Sequence, residues 1–252
     1  MRIESIQVAI AFKKQDDILY ILGQEIVKFQ QKFNAQKQLT NVPESTPPEL
    51  PRLSILVPNF IVNIALNRID IISNIPPNIS NDQKTSLNYI YKIVEEVFDT
   101  LLNGKIEYQW IGIVINTEYS KKATAKTPLI AVEPIYDIIL NIPRKERDLA
   151  SFNLQFGFVE KPFYINYFIG GYEKANFVFN GPVNTGVSID LTNAKKEIID
   201  TGISIKVDVN NKIQETKNQK NIINDFTSII RKCELLLDSV IEDLNLEKIL
   251  KE

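Results

Sequence analysis

Arg68 and Asp70, in the stretch "LNRIDIISN", are the first pair in this 252-residue chain whose types and spacing could do chemistry. On an extended backbone, residues two apart project from one face, near enough to form an ion pair or to engage a partner together. Asp190 in "VSIDLT" and Asp208 in "IKVDVN" sit in stretches with strand character. On neighbouring strands such carboxylates could hold a divalent cation or act as acid and base. No third carboxylate stands at ligand spacing, so an outward-facing surface role is the simpler reading of both. A nuclease-like acid-x-Lys signature could be assembled from Asp208 with Glu215, Thr216 and Lys217, but "QETKNQK" is a polar loop rather than the apolar strand that fixes such groups. The chain has no histidine, which removes Ser-His-Asp and Cys-His activation and imidazole ligation of metals. Neither G-x-G-x-x-G leading a strand into a helix nor GK[ST] occurs, so phosphate cradling has no support and no cofactor is expected.

Aromatic residues concentrate between Phe152 and Phe179, and Tyr164, Tyr167 and Tyr172 among them are candidates for stacking on a planar ligand. Packing of a β layer is the simpler role. An RNA-reading sheet would expose aromatics on its first and third strands, where this chain has Gln7, Ala9 and Asn63.

The elements that must position these groups are legible from periodicity. Ile6, Val8, Ile10 and Phe12 alternate with small or polar residues and predict a strand. Asp16 and Asp17 can cap a helix over 17–35, whose stripe is Ile18, Leu22, Ile26, Phe29 and Phe33. The proline-rich "NVPESTPPELP" forces a loop before the strand "RLSILV". In "IVNIALNRIDIISN" the apolar parity slips after Leu66, and a β-bulge near Leu66 and Asn67 would keep Val62, Ile64, Leu66, Ile69 and Ile71 on the core side. Ser80 and Gln83 form a capping box for a second helix, with stripe Leu87, Ile90, Tyr91, Val94, Phe98 and Leu101 and a C-terminal Gly104. The strand "IEYQWIGIVINT" follows, with Tyr108 and Trp110 expected on the face opposite Ile111, Ile113 and Ile115.

Beyond it, Pro134 can open a short helix to Leu140. The strands "SFNLQFGFV", "FYINYFIGGY", "ANFVFN", "GVSIDLT" and "GISIKVDV" come next, and a helix from Ile222 to Leu244 closes the chain with Cys233 in its stripe.

The order predicts an α+β protein: a ferredoxin-like β-α-β-β-α-β half over 1–120, then an antiparallel aromatic-rich sheet and C-terminal helix over 121–252, as two units or one integrated domain. A net charge of −2 gives no whole-protein attraction to nucleic acid, which is not an expected partner. A single cysteine excludes an internal disulfide, and the N-terminal "MRIESIQVAIAFKK" lacks a signal-peptide pattern, so a cytoplasmic protein without a membrane partner is expected.

This plan resembles a sporadically distributed family of uncharacterised prokaryotic proteins of about 250 residues. "LNRIDIISN" at Leu66–Asn74 is similar to that family's "pdRisvN"-like motif, and "ISIKVDV" at Ile203–Val209 to its "iDiDv"-like strand. The chain departs from the family's "lRYIN" strand, reading "WIGIVIN" at Trp110–Asn116 and lacking the arginine. The resemblance implies the fold and, through the family's patchy distribution, a setting in mobile elements or phage defence.

The function these observations favour is non-enzymatic protein interaction or assembly, with a protein partner or self-association through Arg68, Asp70, Tyr108 and Trp110. One alternative is a metal-dependent enzyme acting on nucleic acid or nucleotide. The other is a small-ligand sensor with an aromatic pocket. The sheet face carrying Gln7, Ala9, Ala11 and Trp110 is expected to be covered either by the aromatic second half or by another chain.

Overall fold

The structure, a computed structural model, describes residues 1–43, 45–102, 104–121, 136, 152–179, 194–212 and 222–243. Among these residues, nine strands form one antiparallel sheet: β1 (Arg2–Phe12), β2 (Gln36–Leu39), β3 (Leu53–Val57), β4 (Phe60–Ile64), β5 (Arg68–Asn74), β6 (Tyr108–Lys121), β7 (Asn153–Glu160), β8 (Phe163–Phe179) and β9 (Ala194–Asn210). Their spatial order is β2-β3-β4-β5-β1-β6-β9-β8-β7. β9, β8 and β7 extend the sheet sideways from β6 and do not fold over it.

Helices accompany the sheet at α1 (Ile18–Ile21), α2 (Gly23–Phe33), α3 (Gln83–Val97), continued by a π turn at Phe98–Leu102, and α4 (Ile222–Asp243). α3 packs on β1 and against α4, α4 covers β6 and β9, and α2 lies against the π turn. They share one face, where the alternating strand residues are mainly apolar and Ser73, Thr117 and Thr201 are the buried polar members. Cross-strand pairing aligns Ile71, Val8, Ile113, Val209 and Ile165, all buried, beneath the helical layer. None of the described helices is long and apolar enough to cross a membrane.

Several expectations need correction. The parity slip is a reversal rather than a bulge: β4 and β5 are separate strands joined at Ala65–Asn67, with Val62 opposite Ile71 and Ile64 opposite Ile69. A hairpin keeps those four residues on one face as a bulge would, which is why periodicity could not separate the two. The helix expected over 17–35 breaks at Leu22–Gly23, where glycine weakens helical continuity, and the Asp17 side chain makes no capping bond. The capping box is also replaced. Asp82 is the N-cap of α3, accepting from the Thr85 N–H at 3.0 Å, while Ser80 Oγ donates to the Pro77 carbonyl. Ala175–Phe179 of "ANFVFN" belongs to β8, which runs on through a register shift at Lys174/Ala175. β2 was not anticipated. The expected helix at Pro134–Leu140, apart from Tyr136, and the strand "GVSIDLT" lie outside the described residues.

Gly104 follows α3 and its π turn with φ +69°, the left-handed conformation expected of a terminal glycine. In α4, Phe226, Ile229, Cys233 and Leu237 are fully buried. Burial, with the charge of Asp208 adding to it, pushes the Cys233 thiol far up. Native protein should therefore resist thiol reagents and label only on unfolding. Stoichiometric labelling without denaturant would place α4 elsewhere.

Candidate interaction face on the uncovered side of the sheet

The face opposite the helices is built by the alternate residues of the same strands. Pairing aligns Asn63, Asp70, Ala9, Gly112, Asn210 and Tyr164 in one row. The next row carries Ile61, Ile72, Gln7, Val114, Asp208 and Asn166. Among the described residues, no helix or strand lies over these rows.

Arg68 and Asp70 are positioned by the β4–β5 turn, which β1 and its exit clamp from the side. The Phe12 N–H donates to the Asn67 carbonyl at 3.0 Å and the Gln15 N–H to the Leu66 carbonyl at 2.7 Å. Arg68 Nε then donates to Asp70 Oδ2 at 2.8 Å, and Gln7 Nε2 to Asp70 Oδ1 at 3.3 Å. Asp70 is only 4% exposed while Arg68 stays half-buried, so the pair presents its cationic end to solvent. Burial raises the Asp70 carboxyl above its ordinary range, against the opposing pull of Arg68 and Gln7.

A pH dependence follows. The unfolded chain releases the Asp70 proton at lower pH than the folded chain, so the folded state loses stability as pH rises between the two values. The stability of wild type relative to Asp70→Asn should therefore increase as pH falls from neutral into the acidic range. Urea midpoints of both proteins across a pH series check the sign, and a wild-type midpoint that falls relative to Asp70→Asn on acidification contradicts it.

Tyr108 and Trp110 share parity, but the structure sends them to opposite faces. The β1–β6 register shifts between Ala11/Trp110 and Phe12/Tyr108, with Gln109 as the extra residue. Tyr108 Oη donates to Asp225 Oδ2 of α4 at 3.1 Å, within the helical layer. Burial first, then the Asp225 charge and hydrogen bond, push this phenol well up. Trp110 stays on the uncovered face, its ring leaning over Gly112, where an added Cβ would stand 3.5 Å from ring carbon Cζ3. Lys212 Nζ lies 6.0 Å from the indole centroid.

The three tyrosines proposed for stacking do not converge. Tyr167 is buried toward the helices and stacks on Phe156 at 5.3 Å. Tyr164 and Tyr172 lie on the uncovered face eight residues apart, about 26 Å along one strand. Tyr172 Oη donates to Asp200 Oδ2 at 2.9 Å. Asp208 accepts from Asn166 Nδ2 and Asn210 Nδ2, both at 3.3 Å, and Asp190 lies outside the described residues. Among the described residues, no three carboxylate or thiol groups are close enough together to hold a metal ion.

Sequence reasoning missed Gln7 as the second partner of Asp70, and Lys206, whose amine sits 4.0 Å from the Phe168 ring centroid. Lys206 and Phe168 border a depression of about 530 Å³ with Gly170, Ser204 and Asn116. The alternation of Ser204, Lys206, Asp208 and Asn210 marks a polar strand face, but strand order alone brings Phe168 beside it. No protein-family model matches the chain, and no curated protein matches it.

Proposed function

We propose that the protein is a non-enzymatic interaction or assembly component that binds another protein through the uncovered sheet face. One observation carries this reading: on that face the half-buried Trp110 ring lies over the small residues Ala11 and Gly112, and the Arg68–Asp70 pair stands beside it. A large aromatic with part of its surface exposed supplies buried area on contact, and a half-buried charge pair at a rim sets register more than affinity. Since β7, β8 and β9 extend the sheet instead of covering it, we assign the cover to a second chain.

β6, β1, β5 and β4 stand side by side, with helices following β1 and β5, an order that supports reading the first half as ferredoxin-like with β2 and β3 inserted. "LNRIDIISN" forms the β4–β5 turn and β5, and "ISIKVDV" lies within β9, placements compatible with the proposed family. A setting in mobile elements or phage defence rests on that family's distribution. Small-ligand binding is a second reading, favoured by Lys206 and Phe168 beside the depression.

A photoreactive residue at position 110, introduced in the native host, should form a discrete protein adduct, whereas one at the exposed Tyr20 should not. Absence of an adduct from position 110 defeats the reading. Nucleic-acid turnover by purified protein with Mg²⁺ or Mn²⁺, lost in Asp208→Ala, would establish the metal-dependent alternative instead.

A further inference from the structure

We propose that β7 is a self-association edge, along which two copies of the chain pair antiparallel about a two-fold axis and extend the sheet across both. Among the described residues, β7 is the last strand in the order and pairs only with β8. Its eight residues, about 26 Å of extended chain, leave alternate N–H and C=O groups directed outward, with no strand among the described residues to receive them.

The two edges of the sheet are guarded differently. β2 is four residues long and carries Lys37, both devices that discourage edge pairing. β7 has neither proline nor lysine, runs in unbroken register with β8, and exposes Phe158 and Val159 at 57% and 62%. The carboxylate at its end, Glu160, is paired with Lys232 of α4 at 2.6 Å.

The occupant is inferred from self-complementarity. An axis normal to the sheet at Gly157 sets Phe156 opposite Phe158 of the second copy, twice, and Gln155 opposite Val159. On the helix side Phe156, Phe158 and Tyr167 already form one cluster, with Phe158 centroids 5.7 Å and 6.3 Å from the other two rings. The second copy would double that cluster through cross-strand aromatic pairs. On the uncovered side Gly157 places no side chain at the axis. The inference is independent of the Trp110 face, since β6 and β7 are separated by β9 and β8.

Light scattering of the full chain at micromolar concentration should give twice the 28.8 kDa chain mass. Phe158→Lys and Val159→Lys should each reduce it to the chain mass with unchanged far-ultraviolet circular dichroism, while Trp110→Ala stays dimeric. A monomeric wild type overturns the proposal, as does a dimer that survives both lysine variants. Should those variants fail to fold, hydrogen exchange of the wild type decides. Alternate β7 amides protected to the level of β8 support pairing, and exchange at the rate of a free edge overturns it.

Discussion

Gly202→Ala is expected to destabilise the fold by about 3 kcal/mol or more, beyond the usual cost of one extra methyl group in a packed site. A Cβ at this position would stand 2.0 Å from the Tyr119 carbonyl oxygen and 2.9 Å from its carbonyl carbon. Both atoms are backbone of β6, so relief requires β6 and β9 to separate along the seam that joins the first six strands to the last three. The Tyr172 ring, 2.7 Å away, can turn aside, but the carbonyl cannot. Gly170→Ala is the matched control, because its nearest contact is the Asn153 side-chain oxygen at 3.0 Å. Urea denaturation should show a far larger midpoint loss for Gly202→Ala, and equal losses would contradict the β6–β9 register.

Phe226→Ala should cost about 3–5 kcal/mol, the range for deleting a fully buried aromatic ring. Phe226 is completely buried in α4 and its ring stacks against Tyr91 of α3 at 6.1 Å, tying the last helix to an element more than a hundred residues earlier. The loss should therefore appear throughout the molecule. Trp110, the single tryptophan, lies on β6 and reports the sheet, while far-ultraviolet circular dichroism reports the helices as well. Both signals should move together to lower urea. A variant in which tryptophan fluorescence keeps its wild-type midpoint would show that α4 is not part of the common core.

How far these arrangements were legible depends on what periodicity can encode. The apolar halves of β1, β6 and β9 were readable because Ile6, Val8, Ile10, Ile111, Ile113, Ile115, Ile205, Val207 and Val209 alternate without exception. Gln36–Leu39 has no such alternation, and all four residues are exposed, so β2 exists only through its backbone pairing with β3. The slip after Leu66 had two solutions with identical core faces, and only the partner strand chooses between them. Tyr108 and Trp110 were assigned to one side by parity, and a bulge defined by β1 separated them. Spacing brought Arg68 and Asp70 together, whereas Gln7 reaches the same carboxylate from a strand 63 residues away in sequence. Local pattern therefore located candidate side chains, and long-range register decided which of them share a face.

The most direct test of the uncovered face uses the single tryptophan. Chain labelled with 5-fluorotryptophan gives one fluorine resonance, from position 110, in buffer or in extract of the native host. If this face binds another protein, the resonance should shift or broaden in extract and lose its solvent isotope effect. An excess of unlabelled wild type should restore the free signal, and an excess of unlabelled Trp110→Ala should not. A resonance with the same position, width and isotope effect in buffer and in extract would contradict the assignment of this face to a protein partner.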